Sequence, residues 1–237
     1  MVETRNLNNL TWAEIGDVGR RGQARSLFGI GATKDLKNRS GRKIATMQIV
    51  DFNKDLIENS NDKACISWIA LFTNLKKCVN DFIPSSQRPN YTHVYPFDGW
   101  PKSDLREYLN GYLITQFPDD LRQAIKPVVK RTALGAQTCI TIDRVWIPSV
   151  SEVMQQNSKD TETYERFQFI NCNERRVNSR SYRPNQIGDS YWLRSSIESQ
   201  NRKTHDYNEA FWMMYGSGWT GIETPTKELA IAIGFCT

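Results

Sequence analysis

Apolar and polar positions along the first two thirds of the chain set out a series of short elements. From Thr11, the residues Trp12, Ile15, Val18 and Leu27 fall on one helical face. Thr11 and Glu14 have the spacing of a capping box, so a helix is predicted to begin there. Gly16, Gly19 and Gly22 weaken it. Residues 34–37 and 43–52 flank Asn38-Arg39-Ser40-Gly41 and read as a β-hairpin. In its second arm Ile44, Thr46, Gln48 and Val50 alternate with Ala45, Met47, Ile49 and Asp51. Residues 65–72 are apolar on both faces and predict a buried strand.

Beyond Trp100 the period turns helical. Ser103 is a good N-cap, followed by Leu105, Leu109, Tyr112 and Leu113 on one face. A short helix over 119–126 is bounded by Pro118 and Pro127, with Asp119 and Asp120 at its start. Strands are predicted at 128–132 and 138–147, and helical patches at 149–154 and 161–170. The last third differs. Strand-like runs at 191–194, 210–215 and 229–235 are separated by polar stretches 195–209 and 216–228, long for hairpin loops. Helices in the first part and strands in the last predict an α+β class. With no repeat and no low-complexity linker, residues 1–237 read as a single domain.

Composition narrows the chemistry. An aromatic content of 11% argues against disorder in a chain of 237 residues with mean hydropathy −0.58. Two His and the lack of an HExxH run exclude most histidine-based sites. Five Cys without a CxxC read as reduced thiols. The first ten residues are polar and lack the apolar core of a signal peptide, and no apolar run is long enough to span a bilayer. The net charge of +5 is matched by one segment, 166–203, where eight Lys and Arg face three acids. Tyr182, Tyr191 and Trp192 are interleaved there, so this segment could bind single-stranded nucleic acid, an acidic carbohydrate or a carboxylate-rich partner. The competing reading is a solvated loop with one structural arginine.

Other motifs are weak. Gly29-Ile30-Gly31-Ala32-Thr33-Lys34 follows a helix rather than a strand, so a turn is favoured over a phosphate loop. Trp100, Ser103 and Arg106 suggest a capped helix whose Trp enters the core. No carboxylate pair stands out, and no Ser lies in a GxSxG elbow.

The C-terminal segment carries most information: Tyr191-Trp192-Leu193-Arg194-Ser195, then Phe211-Trp212-Met213-Met214-Tyr215-Gly216, Gly218-Trp219, and Ala230 to Cys236. Together with Leu10-Thr11-Trp12, Trp100 to Asn110, Phe117-Pro118-Asp119-Asp120-Leu121 and Ile147-Pro148-Ser149-Val150-Ser151-Glu152-Val153, it resembles an uncharacterised domain family of phages and gut bacteria. That resemblance implies a C-type lectin fold, with helices packed around small antiparallel sheets and long irregular loops. It also implies kinship with variable proteins diversified by retroelements, whose C-terminal strands and loops, here about 190–237, form a ligand-binding face. Thr220, Ile222, Thr224 and Thr226 fit adenine-directed diversification of Asn codons; Glu223 and Lys227 do not.

On this basis the expected function is non-enzymatic receptor binding by a phage- or virus-derived protein, virion-borne or cytoplasmic. The partner would be a cell-surface protein or glycan, with no membrane insertion, cofactor or required metal. The expected contact residues are Tyr207, Trp212, Met214, Tyr215, Trp219, Thr220, Ile222, Glu223, Thr224, Thr226 and Lys227. Arg194 is expected to be buried and paired with carbonyls or a carboxylate. Two alternatives stand beside this. One is a relative of formylglycine-generating oxidases, which needs a copper-binding Cys pair; here only Cys236 lies in the C-terminal strand, and Cys172 is far from it in sequence. The other is nucleic-acid binding through 166–203. Oligomerisation is left open.

Overall fold

Thr11 opens the first helix as its spacing predicts. Its hydroxyl accepts from Glu14 N while the Glu14 carboxylate accepts from Thr11 N at 2.7 Å. The computed structural model describes residues 6–80, 99–134, 136–154, 167, 190–200, 207–216 and 218–237. Helix α1 spans Trp12–Arg20 and the one-turn helix α2 spans Ala24–Leu27. Trp12 and Ile15 are buried; Val18 and Leu27 lie at the margin. The glycines of α1 mark its contact side. Gly19 lets the chain of Cys65 approach, and Cys65 Sγ donates to Gly19 O at 3.1 Å.

The hairpin β1 (Thr33–Lys37) and β2 (Lys43–Phe52) forms antiparallel, with Gly41 at φ +81 in its turn. Strand β3 (Ile66–Thr73) pairs with β2 on one side and with the C-terminal strand β11 on the other. The order β1-β2-β3-β11 makes an antiparallel sheet of four strands, β11 being Gly234–Cys236. Between them Trp12, Trp68, Phe117 and Phe235 form one aromatic cluster. Trp12 meets Trp68 and Phe235 edge-on with centroids 5.2 and 5.5 Å apart.

The second sheet runs β4 (Lys76–Lys77), β10 (Leu229–Ala230), β7 (Tyr191–Gln200), β5 (Val128–Leu134), β6 (Gln137–Asp143). Strands β8 (Tyr207–Met214) and β9 (Thr220–Glu223) extend it from β7. Strand β7 meets β5 and β10 in parallel and β8 antiparallel. The expectation of small antiparallel sheets is thus corrected: among the described residues this sheet is mixed and has seven strands. The cause is β7, buried from Tyr191 to Ser196 and taking partners on both edges. The α+β class stands. The remaining helices are α3 (Asp104–Tyr108), continued as π-helix over Leu109–Leu113, then α4 (Asp119–Ala124) and α5 (Val150–Val153).

Several boundaries differ from expectation. Strand β7 continues through Ser195 and Ser196, because Ser195 Oγ has a buried partner in Val150 N at 3.0 Å. The stretch 216–228 contains β9, and the run 229–235 is split between β10 and β11. Strand β6 ends at Asp143, short of the expected 147. The predicted helix 161–170 lies outside the described residues, Phe167 excepted; Phe167 is in irregular backbone and stacks on Trp146 at 6.0 Å.

Gly234 joins the two halves. It exchanges backbone hydrogen bonds with Trp146, and the indole lies so close that an added Cβ would fall 2.4 Å from Trp146 Cζ3. A side chain at 234 must push that ring away. Gly234→Ala is therefore expected to cost about 1–3 kcal/mol by overpacking, read as a lower denaturant midpoint at unchanged m-value.

Candidate functional site

The segments that carry the family resemblance meet in the interior. Asp143, at the end of β6, is buried and accepts from Trp100 Nε1 at 3.0 Å, Arg106 Nε at 2.6 Å and Thr141 Oγ1 at 2.7 Å. Asn110 then clamps the next turn. Its Oδ1 accepts from Arg144 N and Val145 N at 2.9 and 3.1 Å, and its Nδ2 donates to Val145 O at 2.8 Å. Trp100 thus enters the core as expected, and Ser103 caps α3 by accepting from Arg106 N at 3.2 Å. The turn delivers the chain to Trp146 and to α5, which starts on a capping box between Ser149 and Glu152.

Glu152 does more than cap. Its Oε2 accepts from Ser149 N at 2.9 Å and from Arg194 Nη1 at 2.5 Å; its Oε1 accepts from Lys130 Nζ at 3.1 Å. Lys130 Nζ also meets Asp55 Oδ1 at 2.8 Å and sits 3.5 Å above the Trp146 ring. Asp55 Oδ2 accepts from Ser67 Oγ at 3.0 Å and Cys236 Sγ at 3.1 Å. Arg194 donates to Thr132 Oγ1, Ile147 O and Arg131 O at 2.8, 2.8 and 3.1 Å, as its sequence reading required. All four ionic side chains are 0% exposed.

Two cations thus face two anions in the buried interior. Burial works against the Glu152 charge, but Arg194 and Lys130 outweigh it and hold its carboxyl below the usual range. Burial likewise opposes the Lys130 ammonium, and Asp55 and Glu152 outweigh it, so its pKa is raised. Burial and the nearby Asp55 push the Cys236 thiol well above its ordinary value, which leaves it a poor nucleophile at neutral pH. Asp55 and Lys130 were missed in the sequence. The one available sign was that Lys130 shares its strand face with the apolar Val128.

The expected contact residues gather on the β8–β9 hairpin and the turn after it. Trp212 lies opposite Ile222 and Met214 opposite Thr220. Tyr215 N donates to Trp219 O at 2.7 Å and closes the hairpin end. Trp219 is 68% exposed, Ile222 43% and Tyr215 42%. Tyr215 lies across Gly221, where a Cβ would fall 2.7 Å from Tyr215 Cε2. Thr224 and Lys227 are exposed; Trp212, Thr220, Glu223 and Thr226 are half-buried. Lys227 Nζ bonds Glu223 Oε2 at 2.5 Å, which together with Thr224 N holds the Glu223 carboxyl below its usual range.

Met214 is a correction. It is 0% exposed, because its side of β8 is covered at that point, and it belongs to the core. Tyr207 begins β8 opposite Gln200; its side chain lies outside what is described. Of the basic segment, Arg194 is consumed by Glu152, while residues 166, 168–189 and 201–203 lie outside the described residues. Cys65, Cys78, Cys139 and Cys236 are in no disulfide; Cys172 lies outside the described residues. No helix among the described residues is long and apolar enough to cross a membrane.

Residues 73–223 match the model of a domain of unknown function, DUF6273, and the chain belongs to that family. Neither a curated protein nor a solved structure matches it. The matched span holds Lys130, Glu152 and Arg194, whereas Asp55 and Cys236 lie on either side of it.

Glu152→Gln would remove the charge that Lys130 and Arg194 share. Breaking a buried pair in this way costs about 3–5 kcal/mol, measurable by urea unfolding at pH 7. The pH dependence has a fixed sign. Because Glu152 titrates lower folded than unfolded, its contribution is present above the ordinary carboxylate range and is lost as pH falls through the folded value. The wild type should therefore lose more stability on acidification than Glu152→Gln does.

Proposed function

We propose that the chain is a non-enzymatic binding protein of C-type lectin fold, which engages a cell-surface protein or glycan through the β8–β9 hairpin and the turn that follows. One observation carries this. Of seven Trp, five are buried and Trp212 is half-buried, but Trp219 stands 68% exposed at a hairpin end. A large aromatic ring held in water by ordered backbone is costly to folding and useful to binding. Tyr215, laid across Gly221, and Ile222, on the other face opposite Trp212, are also exposed, and Thr224 and the Glu223–Lys227 pair add polar groups in the adjoining turn. An apolar centre with a polar rim is how recognition surfaces are built.

The same reading takes Thr220, Ile222, Thr224 and Thr226 as the positions a diversifying retroelement would alter, in a protein of phage or viral origin carried on a virion. Interior residues such as Met214 would be excluded from such change. Sequencing the DNA beside the gene tests this: a reverse transcriptase with a near-repeat of the 3′ end is the expected finding.

The binding claim has its own test. The wild type and the double variant Trp219→Ala, Thr224→Ala would be labelled and screened on a glycan array and on intact bacterial cells. Loss of a central Trp contact costs about 2 kcal/mol or more, roughly thirtyfold in affinity. Binding should fall by that factor while the melting temperature stays unchanged. Undiminished binding would remove the hairpin as the contact face.

A further inference from the structure

Lys130, Asp55 and Glu152 hold more than an ion pair needs. We propose that the folded chain modifies itself here: Lys130 and Asp55 condense into an intramolecular isopeptide bond, with Glu152 carrying the protons. Each part of that reaction has a residue in place. The nucleophile, Lys130 Nζ, lies 2.8 Å from Asp55 Oδ1 on the ring face of Trp146. The proton carrier, Glu152 Oε1, lies 3.1 Å from the same nitrogen and is oriented by Arg194. Two donors, Ser67 Oγ and Cys236 Sγ, point at Asp55 Oδ2 from 3.0 and 3.1 Å, where charge would build in a tetrahedral intermediate. Nucleophile, electrophile and proton carrier are all 0% exposed, so bulk water does not compete. Folding brings together residues 75 apart in sequence, so the step is unimolecular.

The atoms balance without any co-reactant. Against the pull of the ion pair, which makes the step slow, the Lys130 ammonium passes a proton to Glu152 Oε1 in a minor population, and the freed lone pair attacks Asp55 Cγ. The N–C bond forms while charge collects on Oδ2. Glu152 returns its proton to Oδ1, then relays the second proton from nitrogen to the same oxygen. The Cγ–Oδ1 bond breaks and Oδ1 departs as water. Nothing is oxidised or reduced, and Glu152 ends as the carboxylate it began as.

The charges also balance. Condensation consumes one anion and one cation and leaves Glu152 matched by Arg194 at 2.5 Å. The new amide N–H faces Glu152, and its carbonyl keeps the Ser67 and Cys236 donors, so no polar group is orphaned. A satisfied neutral amide suits a dry interior better than a desolvated ion pair.

Intact mass under denaturing conditions decides the matter. The natively purified wild type should weigh one water less than its sequence, and proteolysis should yield a branched peptide joining Asp55 to Lys130. Lys130→Arg and Glu152→Gln should each show the full mass of their own sequences. A wild type at full mass overturns the proposal, as does a water loss mapped to any other pair. Both wild-type readouts stand even where a variant fails to fold.

Discussion

Everything in the interior depends on one carboxylate being shared. Glu152 takes Lys130 on one oxygen and Arg194 on the other, with all three side chains fully buried. An ionised group there is tolerated only with its partners in place, so α5, β5 and β7 must arrive together. The same carboxylate caps α5, which fixes the rotamer and ties the local helix start to the long-range pairing. Upstream, Asp143 and Asn110 set where the chain leaves β6, and so aim Trp146 under Lys130. Downstream, Cys236 and Ser67 complete Asp55, which binds the first sheet to the second. The short motifs along the chain are therefore parts of one polar assembly rather than separate sites.

How much of this was legible follows from range. Thr11 with Glu14, Ser103 with Arg106 and the turn at Asn38–Gly41 are local devices, and each is found as read. Arg194 was legible because an arginine set between buried aromatic and aliphatic neighbours needs partners. Lys130 was not. A lysine in an alternating strand ordinarily faces water, and only Asp55 and Glu152, brought from 75 and 22 residues away, turn it inward. Ser195 and Ser196 misled in the same way. They resemble loop residues by composition, yet they sit in a buried strand, where Ser195 accepts from a distant backbone N–H.

The expected contact residues lie on the β8–β9 hairpin and the turn that follows, except that Met214 belongs to the core. Alternation along β8 sends Trp212 and Met214 to the same side, and composition alone makes both look available. The side is covered at Met214 and half-open at Trp212, where Ile222 of β9 sits opposite. Strand β9 itself was hidden because Thr220-Gly221-Ile222-Glu223 has no long apolar run. Its glycine serves a contact, letting Tyr215 lie flat across the hairpin.

Exposure alone does not make a recognition surface; the exposed groups must also be held still. Here the support is specific. Strand β7 is pinned by Arg194, β8 pairs along β7, and β9 pairs along β8, so Trp219 stands two strands from the ionic assembly. The turn beyond β9 is fixed from the other side, where the Pro225 carbonyl accepts from Val79 N and Asn80 N at 2.8 and 3.1 Å. Glu223 and Lys227 close across that turn. Thr224 and Lys227 can therefore point outward on backbone that is already ordered, which would lower the entropy lost in the binding proposed for this hairpin. A charge pair buried for stability and an aromatic ring left in solvent are thus two ends of one mechanical chain: the interior fixes β7, and β7 fixes where the hairpin presents Trp219.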